Sequence, residues 1–115
     1  MAESTRRARR EVLDGVVARD WGGCFFPLLK HVELTRLLKV SPEMPDKDLN
    51  VEYMLDNVWI VGDPDEVARQ VGQLSEDLGG FGVLLLMGHE WSPREQWERS
   101  MTLFVNEVVP QLQDL

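Results

Sequence analysis

The second half of the chain carries the same local pattern twice, and this repetition constrains the fold more than any other feature. Each copy is a short apolar run, followed by a turn and then by an amphipathic helix. The prolines that open the two predicted helices, Pro64 and Pro93, lie 29 residues apart. Two such copies in succession predict parallel strands joined by a right-handed crossover, and therefore an α/β fold.

The first copy occupies residues 57 to 79. Asn57–Val61 is an apolar, β-branched run of the kind found in strands. Gly62 ends this run, Asp63 is the predicted helix N-cap, and Pro64 takes the first helical position. The helix is expected to end at Gly79 and to pack through Val67, Val71, Leu74 and Leu78.

The second copy begins with Gly82–Met87, which is apolar on both alternating faces. This pattern predicts a strand that is covered on both sides in a parallel sheet. Ser92 is the predicted N-cap, with Pro93 at the first helical position, and Pro110 is expected to stop the helix. The predicted inner face of this helix consists of Trp97, Met101, Phe104, Val105 and Val108.

The first half of the chain has a different character and is predicted to be helical. Residues 1–40 form the predicted N-terminal helical segment, residues 41–56 a loop or linker, and residues 57–115 the two βα units. The linker is inferred from Ser41–Asp48, where two prolines and several charges disfavour regular structure. Gly22 and Gly23 are expected to loosen the helix that precedes them.

Two parallel strands that are apolar on both faces leave unpaired backbone groups at two edges. Their cover could be further βα units of a (β/α)₈ barrel, or a second copy of the chain in a homodimer. A three-layer sandwich is the simpler alternative, with an antiparallel third strand at Leu49–Tyr53.

Composition narrows the class of protein. With 43% hydrophobic and 28% charged residues the chain falls in the range of soluble globular domains. Its longest apolar run, Phe81–Met87, is too short to cross a bilayer, and no signal-peptide core follows the N-terminal arginines, so a cytoplasmic location is expected. The single cysteine, Cys24, is expected to be buried filler rather than a reactive thiol.

Charge argues against a nucleic-acid partner. The net charge is −8, and because the first ten residues carry +3, the remaining 105 carry −11. Such a surface repels a phosphate backbone. The N-terminal arginine cluster could still be a nucleic-acid arm, but its interleaved acidic residues favour the solvated face of a helix.

Candidate site residues follow the second apolar run, because ligands in α/β folds bind at the carboxyl ends of strands. His89 titrates near neutral pH, Glu90 supplies a carboxylate, and Trp91 offers a flat aromatic surface, so together they could rim a binding pocket. The alternative is that the two polar residues are ordinary loop residues and that Trp91 anchors the loop to the next helix. No metal site is predicted, since His31 has no second histidine or cysteine at ligand spacing.

Three stretches of the sequence carry a resemblance to a known family: Asp56–Val67, Gly79–His89 and Glu107–Pro110. They resemble the C-terminal end of the flavin-dependent luciferase-like monooxygenases. The likeness extends into the N-terminal helices through Leu13–Gly15 and Phe26–Leu29.

The resemblance implies the last part of a TIM (β/α)₈ barrel, with the two βα units as units 7 and 8 and two helical segments before them. It also implies reduced FMN or a deazaflavin as cofactor, activation of dioxygen, and His89 and Trp91 as cofactor-binding residues at the active-site rim. The preceding units supply most flavin contacts in this family. The chain is therefore expected to be inactive and not to bind flavin alone, with the rest of the barrel or a second copy as partner and a flavin reductase as a further one.

The sequence departs from the family pattern at a few positions. Glu90 stands where aspartate is usual, Val83 where threonine is frequent, and Gly22 and Gly23 interrupt a segment that is normally better helix. An alternative from another functional class is a non-enzymatic α/β interaction or dimerisation module, whose apolar helix and exposed sheet edge serve a protein partner.

Overall fold

The computed structural model of this protein describes all 115 residues, and its regular structure is entirely helical. Five shorter helical turns accompany six α-helices. The α-helices are α1 (Thr5–Leu13), α2 (Val16–Asp20), α3 (Phe26–His31), α4 (Val51–Asn57), α5 (Pro64–Leu78) and α6 (Arg94–Leu103). The shorter turns are the π-helical Trp21–Phe25 and Phe104–Val108 and the 3₁₀ turns Thr35–Leu37, Asp46–Asp48 and Val109–Leu112.

The predicted α/β fold is wrong, because neither apolar run forms a strand. Asn57 is the last residue of α4, and residues 58–63 and 80–93 contain neither helix nor strand. A strand exists only through a ladder of backbone hydrogen bonds to a neighbour. The backbone groups of residues 81–88 bond to no other part of the chain. The βαβα portion of a TIM barrel is therefore not formed by this chain, and α4 occupies most of the stretch proposed for a third strand.

The chain packs as two compact units. One comprises Met1–Arg10 and Ile60–Leu115, and the other comprises Glu11–Trp59. We call them the larger unit and the smaller unit. The three ranges predicted from sequence were drawn from local composition and stay a prediction.

Helix α5 matches the sequence prediction at both ends. The Asp63 carboxylate accepts a hydrogen bond from the Glu66 backbone N–H at 2.9 Å, and Pro64 occupies the first turn. At the other end Gly79 adopts a left-handed conformation with φ of 71°, which glycine reaches without steric cost. Both boundaries follow from residues within one turn of the helix end.

The core of the larger unit forms between α5 and the π-helical turn near the C-terminus. Val67, Ala68 and Val71 of α5 are buried against the fully buried Val108. Leu84 packs against this cluster from the irregular segment, although its neighbours do not. The core therefore takes Val67 and Val71 of the predicted inner face of α5, while Leu78 is exposed, and it takes only one residue of the second apolar run.

The predicted start and end of the last helix are both wrong. Its N-cap is Pro93 rather than Ser92, without a side-chain cap, and the Ser92 N–H is used in a hydrogen bond to the Glu90 carbonyl. Pro110 was expected to stop the helix, but α6 ends at Leu103. Pro110 lies instead in the first positions of the final 3₁₀ turn, where a residue needs no backbone N–H. The inner face is also narrower than predicted, since Met101 and Val105 are exposed.

The smaller unit is organised by aromatic and aliphatic side chains. The Trp21 ring lies 5.0 to 5.5 Å from the rings of three aromatic neighbours, and these are Phe25, Phe26 and Trp59. Instead of loosening at Gly22 and Gly23, the helix continues as a π-helical turn. This turn directs Trp21 and Phe25 inward and leaves Cys24 exposed, so the expected burial of Cys24 is wrong.

No helix of this chain has both the length and the apolar character that a membrane span requires.

Candidate functional site

The segment of residues 80–93 contains both predicted site residues, and we call it the 80–93 segment. It follows Gly79 and Gly80, two glycines with positive φ that redirect the chain after α5. Only Leu84 of its apolar run packs on the core, since Leu86 is 54% exposed. Val83, Leu85 and Met87 are 83%, 81% and 84% exposed, while Leu84 packs on the core. We call Val83, Leu85 and Met87 the outward face.

Trp91 lies near the end of this segment and is 45% exposed. Its ring stacks on that of Trp97 in α6, with centroids 6.2 Å apart and an interplanar angle of 20°. A β-carbon at Gly88 would lie 3.6 Å from Trp91 Nε1, so the backbone passes close to the indole edge. The stack holds one indole in place and leaves part of Trp91 accessible.

His89 and Glu90 precede Trp91 in the same segment. His89 is half-buried and Glu90 is exposed, while the Glu90 carbonyl accepts the Ser92 N–H at 2.9 Å. The structure thus places both predicted rim residues, His89 and Trp91, within three positions of each other, without showing a ligand role for either.

Sequence reasoning missed Trp97 as a partner of Trp91 and assigned it only to the inner face of the last helix. The available signal was a second tryptophan within the first turns of a helix that directly follows Trp91. Two large aromatic rings on either side of a helix start often pack together because stacking adds to their burial.

A flavin needs a flat contact for its ring and a cationic or N–H-rich site for its phosphate. Trp91 offers an accessible aromatic face for a ring. However, Glu90 is the only charged residue in the 80–93 segment, and the next cation, Arg94, is paired with Glu98 at 2.6 Å. Trp91 therefore offers a contact for the ring of such a cofactor, whereas the 80–93 segment contains no lysine or arginine for its phosphate. It also contains no group of side chains that could hold a metal ion.

An open cleft of about 670 Å³ lies in the smaller unit. Two of its polar residues, Asp46 and Asn50, are engaged in local contacts. Asp46 accepts a hydrogen bond from Thr35 Oγ1 at 3.0 Å and pairs with Lys39, which lowers the pKa of Asp46. Asn50 caps α4 by accepting the Tyr53 N–H at 2.8 Å. Because these groups stabilise the local fold, we assign the cleft no ligand.

Comparison with known proteins identifies monooxygenases that are similar to this chain. No family model matches the chain. It is 26% identical over 112 residues to the 3,6-diketocamphane 1,6-monooxygenase of Pseudomonas putida, covering 96% of this chain and 30% of that protein. It is 22% identical over 113 residues to the 2,5-diketocamphane 1,2-monooxygenase 2 of the same organism, covering 96% and 31%.

A solved structure shows the same similarity in three dimensions. It is the oxygenating constituent of 3,6-diketocamphane monooxygenase from Pseudomonas putida, a type II Baeyer-Villiger monooxygenase in complex with FMN. The TM-score is 0.84 at 26% identity, over 95% of this chain and 30% of that one. This chain thus spans about 30% of the length of the relatives it matches, which is consistent with the predicted C-terminal part. Over nearly its whole length the chain is similar to a portion of the diketocamphane monooxygenases, and the predicted resemblance to flavin-dependent luciferase-like monooxygenases is confirmed.

Proposed function

We propose that this chain is one part of a flavin-dependent monooxygenase and that it does not catalyse oxygenation alone. The observation that carries this proposal is the pair of coverages in the structural match: 95% of this chain, but only 30% of the FMN-binding relative. A fold retained at a TM-score of 0.84 supports a retained role for this portion. The lack of any lysine or arginine in the 80–93 segment, which contains Trp91, supports catalytic incompleteness.

The cofactor of the complete assembly is FMN by this proposal, or a deazaflavin. When bound and reduced, such a cofactor supplies the electrons that activate dioxygen. The contribution of this chain is a contact for the flavin ring: Trp91, held by Trp97, excludes water from one edge of the ring, and His89 lies at the rim. The phosphate site belongs to the remainder of the enzyme, and a flavin reductase supplies reduced flavin.

A grafting experiment tests this function. In the P. putida 3,6-diketocamphane 1,6-monooxygenase, the region matched by this chain is replaced with the chain itself, and oxidation of 3,6-diketocamphane is measured with chemically reduced FMN. We expect the graft to form product and the isolated chain to form none. Product formed by the isolated chain would contradict the proposal, and so would a folded graft that binds FMN but forms no product.

The role of Trp91 is tested in the same graft. Trp91→Ala should weaken FMN binding by roughly tenfold or more, since loss of a stacked aromatic contact typically costs 1 to 3 kcal/mol. Met101→Ala is a matched control, because Met101 is exposed to the same degree, at 46%, in the same unit. Equal FMN affinities for the two variants would remove Trp91 from the proposed site.

A second candidate is a non-enzymatic interaction or dimerisation module. The exposure of Val83, Leu85 and Met87 favours it, because monomers rarely leave contiguous apolar side chains this open. Light scattering separates the two. A compact, monodisperse dimer without flavin affinity, from which no active graft can be made, would favour the module.

A further inference from the structure

The indole N–H of Trp91 is a hydrogen-bond donor that has no acceptor in this chain. Trp91 is 45% exposed, and its Nε1–H makes no hydrogen bond to any other residue. Water satisfies this group as long as the side chain stays open to solvent. A tryptophan N–H that becomes buried usually acquires an acceptor, because an unpaired donor away from water costs free energy. A ligand that covers Trp91 must therefore bring an acceptor with it.

The surroundings of the indole leave this N–H open to approach. The stack with Trp97, at an interplanar angle of 20°, takes up one face of the Trp91 ring rather than the edge that carries Nε1. Gly88 lies beside that edge, and a β-carbon at this position would stand 3.6 Å from Nε1. Because glycine has no side chain, nothing from position 88 covers the N–H. By contrast, a β-carbon at Gly82 in the same segment would meet no atom within 4 Å.

The charges near Trp91 indicate which kind of acceptor fits. The 80–93 segment contains no lysine or arginine, and Glu90 directly precedes Trp91. A phosphate or carboxylate at this point would lose its hydration without gaining a countercharge, and it would meet the negative charge of Glu90. A carbonyl oxygen accepts a hydrogen bond while carrying no formal charge. The acceptor that suits Trp91 is therefore a neutral carbonyl.

We propose that Trp91 donates a hydrogen bond from Nε1 to a carbonyl oxygen of the bound ligand, and that Gly88 keeps the approach to this N–H open. The inference rests on the proposed function and adds a directional polar contact to the ring contact described there. Two molecules could supply the carbonyl: the flavin, whose ring system carries carbonyl groups, and a ketone substrate. Both offer the same chemistry to the indole, and the experiment distinguishes them.

A sulfur isostere of tryptophan removes the N–H and keeps the two-ring shape. In the graft described above, Trp91 is replaced with 3-benzothienylalanine, and the Kd for FMN and the KM for 3,6-diketocamphane are measured separately. One of the two constants should rise by roughly two- to tenfold, the loss expected for one hydrogen bond. A higher Kd for FMN would assign the carbonyl to the flavin. A higher KM with an unchanged Kd would assign it to the substrate, and parent values of both constants would overturn the proposal.

Alanine at Gly88 tests the same contact without altering the indole. Gly88→Ala places a methyl group against Nε1, so it should raise the constant that the sulfur isostere raises, by about twofold or more. Gly82→Ala is the matched control and should leave both constants unchanged, since its methyl group meets no atom within 4 Å. Equal constants for the two alanine variants would overturn the proposal.

Combining the two changes separates loss of the hydrogen bond from a structural disturbance. When position 91 already lacks the N–H, Gly88→Ala should cause no further loss, because the group that it shields is absent. Independent, additive losses would show that Gly88 acts through the backbone, and they would overturn its role in the proposal.

The outcome also distinguishes this inference from the proposed function. An unmodified graft that is folded but neither binds FMN nor forms product would refute the function, and the inference would fall with it. An unmodified graft that binds FMN and forms product, while the sulfur isostere has the constants of the parent, would keep the function and refute only the hydrogen bond from Trp91.

Discussion

Asp63 shows how one side chain can fix both the start of a helix and a contact with a distant part of the chain. One carboxylate oxygen accepts the Glu66 N–H, while the other accepts the Thr5 hydroxyl at 3.1 Å. The Asp63 N–H in turn donates to Thr5 Oγ1 at 3.1 Å. The cap of α5 is thereby joined to the first residue of α1.

Removing this carboxylate should destabilise the larger unit. Asp63→Ala is expected to lower the free energy of unfolding by about 1 to 2 kcal/mol, since the cap and the Thr5 contact are lost together. Urea denaturation followed by circular dichroism measures the change. Asp114→Ala removes an exposed carboxylate near the C-terminus and should be nearly neutral. A neutral Asp63→Ala would contradict the role assigned to the cap.

Glu66 gives the chain a specific dependence on acid. Hydrogen bonds from Arg69 at 2.7 and 2.8 Å, and then from Gln70, lower the pKa of Glu66 from 4.5 to about 2. Because the pKa is lower in the folded chain, the stabilisation is fully present above pH 4.5 and is lost as pH falls toward 2. Partial exposure of the pair limits the effect to about 1 kcal/mol.

The variant Glu66→Gln isolates this contribution. At pH 7 it should be less stable than the parent chain by about 1 kcal/mol, and the difference should shrink between pH 4.5 and pH 2. Urea midpoints measured across this range provide the test, with Glu76→Gln on the exposed side of α5 as control. A difference that stays constant with pH would show that the effect of the substitution is not electrostatic.

Local chemistry decided which residues could be predicted. Asp63, Pro64 and Gly79 act through their own backbone conformation and the nearest turn, so their roles were predictable from residue type and spacing. Ser92 has the right residue type for a cap, but Pro93 takes the cap position itself. The Trp91–Trp97 stack depends on the path between the two rings, which no local rule specifies.

Among the elements, α5 is the one whose limits were predicted most closely, and its two glycines make opposite predictions. Gly79→Ala should destabilise the chain by about 1 kcal/mol, because alanine is strained at a φ of 71°. Gly72→Ala should stabilise it by about 0.5 to 1 kcal/mol, because Gly72 lies within the helix and its new β-carbon meets no atom within 4 Å. Thermal unfolding of both variants measures the two shifts, and shifts of the same sign would contradict this account of α5.

The two apolar runs explain why both predicted strands are absent. Period and residue type correctly excluded helix from most of residues 58–63 and from residues 80–87, but a strand also requires a hydrogen-bonded neighbour, which a sequence pattern cannot supply. The run was predicted to be a strand covered on both sides, yet Val83, Leu85 and Leu86 are exposed and only Leu84 packs on the core. What was wrong was the prediction that the two runs form parallel strands joined by a crossover.

For the molecule as a whole, the sequence predicted the family more successfully than the fold. The stretches Asp56–Val67 and Gly79–His89 carried the resemblance that the comparisons bear out. The fold depended instead on which surfaces pack against each other, and the outward face is not covered by any other part of this chain. The rim roles of His89 and Trp91 stay predictions, because a rim is defined by the cofactor that it encloses.

FMN binding tests the central claim most directly. Quenching of FMN fluorescence is titrated with the isolated chain and with the graft into the P. putida enzyme, up to about 100 µM protein, which would saturate any site with a Kd near 1 µM. The account predicts no saturable quenching by the isolated chain and one saturating site in the graft. Saturable, stoichiometric FMN binding by the isolated chain would contradict the claim that it is one part of a larger cofactor site.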